Sequence, residues 1–300
     1  MRSQVVTVAL VLAAGAAAAQ DIANQGPPPV LAVSREEIKP GKLGPHEKTV
    51  AIYTQVLAKA TPEAYRVALT PMSGDDNVVL YLESFASFAG MEAAQKRDAV
   101  AVDSNPAWKT ELDRLDAMGG DQHASQRRSL WRYRADLSYQ PQSMKQVAQS
   151  RYMSMSMIRI KPGRVPDWID YVKTSNAARE KAGLTDIHGV VYQAVSGAPA
   201  GTFLVIGVNR SLAEWDQDLA KAEERQKAVD TALGGEEVVK KRRMLISEIV
   251  IDNVPTLYAM SSSLSRPSPP FAAMDSAFWS PQPKAAATKM PAVKKQAPKQ

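Results

Sequence analysis

Between residues 152 and 160 the chain reads YMSMSMIRI, with Met153, Met155 and Met157 set against Ser154 and Ser156. Alternation at period two predicts a strand with one apolar face. A shorter apolar run at 30–34 predicts another. After each run the spacing lengthens. Val50, Tyr53 and Leu57 recur at helical intervals, and Trp168, Val172 and Ala178 follow the same period less regularly. Strand patterns return at 65–72 and 187–194, each closed by a Ser-Gly turn, Ser73-Gly74 and Ser196-Gly197. Strands at 78–83 and 203–208 complete two hairpins. Second helices are expected to begin within 87–92 and 211–216, the latter with a Ser211/Glu214 capping box and Leu212, Trp215 and Leu219 on one face. A last strand is expected after a pair of arginines in each half: 130–137 after Arg127-Arg128, and 245–251 after Arg242-Arg243.

The two series share a phrase. EEIKPGK at 36–42 returns as IRIKPGR at 158–164, in each case where the first strand must stop and turn into the first helix. Proline fixes φ and withholds its N–H, and glycine accepts the dihedral that follows. Each series is β-α-β-β-α-β, the split βαβ of a ferredoxin-like fold. The fold class expected is therefore α+β: two tandem ferredoxin-like repeats whose antiparallel sheets pack face to face as an intramolecular α+β barrel. The boundaries that follow are a signal peptide over 1–19, a linker over 20–29, a first repeat over 30–141, a linker over 142–149, a second repeat over 150–259, and a disordered Pro/Ala/Lys-rich tail over 260–300.

Composition adds location. Arg2 precedes an apolar run from Val5 to Ala19 that ends in three alanines, which reads as a secretory signal peptide and is shorter than a membrane span needs. The expectation is a periplasmic or secreted protein without a transmembrane segment. Cysteine is absent, which removes disulfides and thiolate chemistry. The formal net charge of +6 is concentrated at the ends, with Lys284, Lys289, Lys294, Lys295 and Lys299 in the tail, so the body is close to neutral. A neutral body argues against nucleic acid as partner, because phosphate binding needs cations clustered on one face. The basic tail is expected to make at most weak contact with an anionic envelope surface.

A strand ending in Lys-Pro-Gly-Lys/Arg, an amphipathic helix, a Ser-Gly hairpin, and a helix carrying SNPAWKTEL at 104–112 together resemble the dimeric α+β barrel superfamily. The likeness is to its NIPSNAP-like and antibiotic-biosynthesis-monooxygenase-like members. The former often carry Asp-Pro-x-Trp where this chain has Asn105-Pro106-Ala107-Trp108. The resemblance implies a barrel of two ferredoxin-like units, here closed within one chain as an internal pseudo-dimer, with or without further homodimerisation. It also implies a range of activities, from cofactor-independent monooxygenases to haem-dependent enzymes and members with none.

The three histidines, His46, His123 and His188, are far apart and lack metal-ligand spacing, so neither a metal site nor any other cofactor is expected. His46 is expected to be exposed at a helix start, and His123 to lie in a polar loop. His188 falls in phase with Val190 and Tyr192 on an expected strand, which would aim imidazole and phenol into one pocket; His188 and Tyr192 are the catalytic candidates. It is also the only histidine placed where a haem iron could be reached, and haem binding is not expected. In LWRYRADL, Trp131 and Tyr133 share one face, as core or as a wall for a flat ligand, while Arg132 and Arg134 share the other. Tyr81 and Glu83 are in phase on the third strand. The candidate ligand-binding set is thus Tyr81, Glu83, Trp131, Arg132, Tyr133, His188 and Tyr192. The methionine run is read as packing rather than a copper site. No phosphate loop, G-x-G-x-x-G or G-x-S-x-G occurs. The leading expectation is an exported protein that binds a small apolar or aromatic molecule between the sheets. A cofactor-independent monooxygenase and a non-catalytic envelope protein are the alternatives.

Overall fold

The computed structural model describes residues 23–280; the signal-peptide reading over 1–19 and the lysines from Lys284 onward lie outside them. The first half of the chain forms β1 (Val30–Ile38), α1 (Leu43–Ala60), β2 (Arg66–Pro71), β3 (Val78–Phe85), α2 (Phe88–Asp103), α3 (Pro106–Gln122) and β4 (His123–Tyr133). After the short α4 (Met144–Ala148) come β5 (Tyr152–Ile160), α5 (Val165–Lys181), β6 (Val190–Ser196) and β7 (Thr202–Asn209). Then follow α6 (Leu212–Ala220), α7 (Ala222–Ala232), α8 (Glu236–Ile249), β8 (Val250–Arg266), α9 (Pro269–Ala273) and α10 (Ser276–Trp279).

All eight strands pair antiparallel in one closed barrel, in the order β1-β3-β2-β8-β5-β7-β6-β4. The arcs β4-β1-β3-β2 and β8-β5-β7-β6 have the same internal order, that of a split βαβ unit. The β2–β8 and β6–β4 seams join them. Both Lys-Pro-Gly turns do what the sequence requires: Gly41 has φ +77° and Gly163 has φ +78°. SNPAW is a helix start, with the Asn105 side chain accepting from the Ala107 and Trp108 amides and Pro106 at the first helical position.

Strand alternation sorts the apolar residues into two environments. On β3, Val78, Leu80 and Leu82 face the barrel interior, where Leu31, Leu69, Trp131, Met155 and Leu204 pack. Val79 and Tyr81 face outward and are buried with Ile38, Val50 and Leu264 beneath α1. On the other half, Ile158, Val191 and Phe203 face outward against Trp168 and Ile249. Covering both faces makes β3 and β7 read as nearly continuous apolar runs, whereas β5 keeps its alternation. At one end the barrel is closed by Pro27, Pro28, α4 and the C-terminal pair of helices, with Trp279 Nε1 donating to the Ala148 carbonyl at 2.7 Å and Arg151 ion-paired with Asp275.

The last segment departs from the sequence reading. Residues 245–249 belong to α8, not to a strand. Val239, Ile246 and Ile249 recur at helical spacing, and Leu245, Ile246 and Ile249 pack against Trp168 and Phe203. Arg242-Arg243 therefore lies on a helix, while Arg127-Arg128 lies inside β4. Nor is the chain disordered from 260: β8 runs on to Arg266, and Phe271 and Trp279 are buried against the barrel. Within β8, residues 250–256 pair with β5 alone, and β2 joins only from Tyr258 onward. Pro255, which has no N–H to give, sits in this one-sided stretch. Here the barrel wall parts.

Candidate functional site

The barrel interior changes character along its axis. Its middle is filled by Leu80, Trp131, Met155 and Leu204, with the Trp131 indole N–H satisfied by Ser129 Oγ at 2.8 Å. Towards the closed end remains an apolar cavity of about 100 Å³ lined by Leu31, Leu82, Met153, Tyr192 and Met260. Towards the opposite end, beside the one-sided stretch of β8, the interior opens into a cleft of about 640 Å³. Its floor is Leu80, Trp131, Met155 and Leu204, and its rim carries Arg35, Glu37, Asp75, Arg127 and Tyr258.

The rim charges are unequally engaged. Arg35 bridges Glu37 and Asp75, each at 3.1 Å, and Ser125 Oγ donates to Glu37 at 3.0 Å. The Arg35 hydrogen bond, then that from Ser125, holds the Glu37 carboxyl below its ordinary range. Arg127 pairs with Arg35 across β1 and β4, is exposed, and has no ion-pair partner among the described residues. An apolar floor under a free guanidinium suits a flat or branched apolar molecule bearing an anionic group.

Three of the residues expected at the site meet inside the barrel. Trp131 is the cleft floor; Tyr133 and Tyr192 lie deeper, their rings 5.6 Å apart. Burial pushes the Tyr192 phenol upward, and its hydroxyl donates to the Pro28 carbonyl at 3.0 Å, so Tyr192 is a neutral latch on the closed end. His188 does not join it. The strand begins at Val190, and His188 is exposed on the preceding loop with Nδ1 2.7 Å from the Gln140 carbonyl. The remaining candidates face away from the cavity. Tyr81 is buried beneath α1, Glu83 is ion-paired with Arg128, and Arg132 donates to Gln193 Oε1 at 3.1 Å.

A second constellation was not legible from spacing. Glu36 faces outward on β1, His46 lies in the first turn of α1, and His123 opens β4 opposite Ile38. His46 is 1% exposed rather than solvent-facing, and His123 is a strand residue rather than a loop residue. Glu36 Oε2 stands 3.5 Å from His46 Nε2 and 3.3 Å from His123 Nε2, while the Tyr81 hydroxyl stands 3.4 Å from His46 Nε2. Burial raises the Glu36 carboxyl above its usual value, against the charges of His123 and Arg66 and a hydrogen bond from Gln126. Burial, then His123 and Arg66, pushes His46 down to about 4. The signal in the sequence was topological: once β1 and β4 are paired, the start of α1 and the end of α3 come together over Glu36.

No protein-family model and no curated protein matches the chain. In structure it is similar to a protein from Fusobacterium nucleatum described as a candidate monooxygenase, at 12% identity over 78% of this chain and 93% of that one, TM-score 0.46. An anthrone oxidase-like protein aligns at 13% identity over 77% and 90%, TM-score 0.45. A mutant chlorite dismutase from Candidatus Nitrospira defluvii aligns at 9% identity over 82% and 97%, TM-score 0.45. Among the described residues no helix is long and apolar enough to cross a membrane.

Proposed function

We propose that the chain is an exported binding protein that takes a small aromatic or apolar acid into the open cleft of its barrel. We also read the two arcs as a tandem duplication, an internal pseudo-dimer of the NIPSNAP-like kind. The observation that carries the binding reading is the cleft itself: an apolar floor of Trp131, Met155 and Leu204 beneath the unpaired Arg127. A purely structural protein has no need to leave that end open. The filled middle of the barrel limits the ligand to the cleft, away from the Tyr192 end. The second reading is an oxygenase working without cofactor on a bound phenol. Glu37 and Asp75 are the carboxylates available to take the proton. The hydrogen bonds that hold Glu37 low make it a weak base, so binding leads. The lysine-rich tail would add weak, salt-sensitive adhesion to an anionic envelope surface.

The test uses 1-anilinonaphthalene-8-sulfonate, an aromatic anion. Saturable one-to-one fluorescence gain is expected, weakened at least tenfold in Met157→Glu and in Arg127→Glu, both of which alter exposed side chains at the cleft. Unchanged affinity in both variants would remove the cleft as the site. Oxygen uptake with an anthrone in chelated buffer, abolished by Glu37→Gln, would move the assignment to the oxygenase.

A further inference from the structure

We propose that Glu36, His46 and His123 form a binding site for one divalent transition-metal ion, with zinc the best match, set between the outer face of the first arc and its helices. The three ligand atoms lie within 4.8 Å of one another. Their chemistry is the first argument: two imidazoles and one carboxylate suit zinc and its neighbours rather than calcium or magnesium, which take oxygen ligands.

The distances are the second argument. A charge-assisted hydrogen bond brings N and O to about 2.7–2.9 Å. Here the carboxylate oxygen stops at 3.5 and 3.3 Å from the two imidazole nitrogens. Atoms each about 2.1 Å from a tetrahedral zinc stand about 3.4 Å apart, which the two carboxylate–imidazole distances match, while the imidazole pair lies within 4.8 Å. His123 Nε2 is buried 3.3 Å from Glu36 Oε2, a contact that offsets part of the burial-driven rise in the carboxyl's pKa yet is poorly aligned as a hydrogen bond. The Tyr81 hydroxyl stands at the same spacing from His46, as a fourth ligand or the partner of a bound water. Outside the cluster, Gln126 Nε2 donates to Glu36 Oε1 at 2.9 Å, orienting the carboxylate from behind as metal ligands commonly require.

The electrostatics set the conditions. Burial keeps His46 neutral, and its Nε2 is shared with the Tyr81 hydroxyl at 3.4 Å, which a metal would have to displace or recruit. Glu36 must give up any proton it holds, so affinity rises with pH. Arg66, whose guanidinium lies 4.5 Å from the Tyr81 ring centre, opposes a second cation and sets an upper bound on affinity. The side chains of Glu36 and His123 are 12% and 16% exposed, which leaves an entry path that His46, at 2%, does not. Bound metal would fasten α1 to β1 and to the start of β4, adding to the β1–β4 pairing and to the buried hydrogen bond from Gln122 to Thr49 on α1.

The full chain, stripped with chelator, is titrated with zinc by calorimetry and with cobalt by visible absorption. One zinc per chain, intense cobalt bands of a four-coordinate ion, and a zinc-dependent rise in melting temperature are expected. His46→Gln and His123→Gln should each weaken binding at least a hundredfold, while His188→Gln, on the exposed loop, leaves it unchanged. Absence of cobalt bands in the folded chain would overturn the proposal, as would bands that persist in His46→Gln. Should either variant fail to fold, X-ray absorption of the zinc-loaded wild type decides: two imidazoles in the shell support the site, and an oxygen-only shell removes it.

Discussion

Three glycines with nearly the same backbone separate the cost of a dihedral from the cost of a contact. Gly41, Gly163 and Gly197 have φ of +77°, +78° and +76°. A Cβ at Gly41 or Gly163 meets nothing within 4 Å, whereas at Gly197 it would lie 2.1 Å from the Arg128 carbonyl oxygen and 2.7 Å from the Ser129 Cα. Gly41→Ala and Gly163→Ala should therefore lose only the left-handed penalty, about 1–2 kcal/mol each. Gly197→Ala carries that same penalty and must also push the β6–β7 turn off β4. A shift of that kind in a packed region costs about a further 1–3 kcal/mol, so the total is about 2–5 kcal/mol. The β4–β6 seam is one of the two joins that close the barrel, so the extra loss measures closure. Urea unfolding followed by circular dichroism gives the three values, with a constant m-value as the check that all unfold alike. Equal losses at the three positions would refute the close approach, and with it the placement of the second hairpin against β4.

Other outcomes follow from the same contacts. In chelated buffer His46 should make the chain acid-labile. Its imidazole titrates at about 4 when folded against 6.5 when free, so the unfolded chain binds the extra proton between those values. Stability present above pH 6.5 is then lost as pH falls towards 4, about 2 kcal/mol of it by pH 5. The raised Glu36 carboxyl works in the opposite sense above 4.5 and trims the slope; parallel pH curves for wild type and His46→Gln would sink the assignment. Arg266 donates to the Thr61, Pro62 and Ala64 carbonyls at 2.9, 2.9 and 2.7 Å, and Arg266→Ala should cost about 2 kcal/mol in urea unfolding; a loss below about 0.5 kcal/mol would mean these bonds merely replace water. Deleting 281–300 should leave the melting temperature unchanged, whereas deleting 267–300 should lower it by several degrees, because it removes Phe271, Trp279 and the Trp279–Ala148 hydrogen bond. Equal melting temperatures for the two truncations would show that α9 and α10 do not seal the barrel.

The fold was legible where local rules and burial agree. Period two at 152–160 became β5 without change, and both Lys-Pro-Gly phrases became turns with positive-φ glycines. The final segment misled because 245–251 is apolar enough for either element, and only the packing of Leu245, Ile246 and Ile249 against Trp168 and Phe203 decides for a helix. The C-terminal strand and helices were hidden by composition: their Ser, Pro and Ala content reads as tail, yet Phe271 and Trp279 supply the burial that orders them. At the site, strand phase paired Trp131 with Tyr133 on one strand and left open whether they or Tyr192, on another strand, faced the cavity; all three pack inside the barrel. It misplaced His188 by assuming that a strand began before Val190. Glu36, His46 and His123 could not be found by spacing, because what unites them is the β1–β4 pairing and the packing of α1 over it.

The barrel's methionines report which space a ligand enters. Met155 and Met157 line the open cleft, whereas Met144, Met153 and Met260 line the cavity at the closed end. Methyl-labelled methionine spectra of the full chain, titrated with 1-anilinonaphthalene-8-sulfonate, test the central claim directly. Saturable shifts at Met155 and Met157, with Met153 and Met260 unmoved, are the predicted result. Shifts confined to Met144, Met153 and Met260, or none at any of the five, would contradict it.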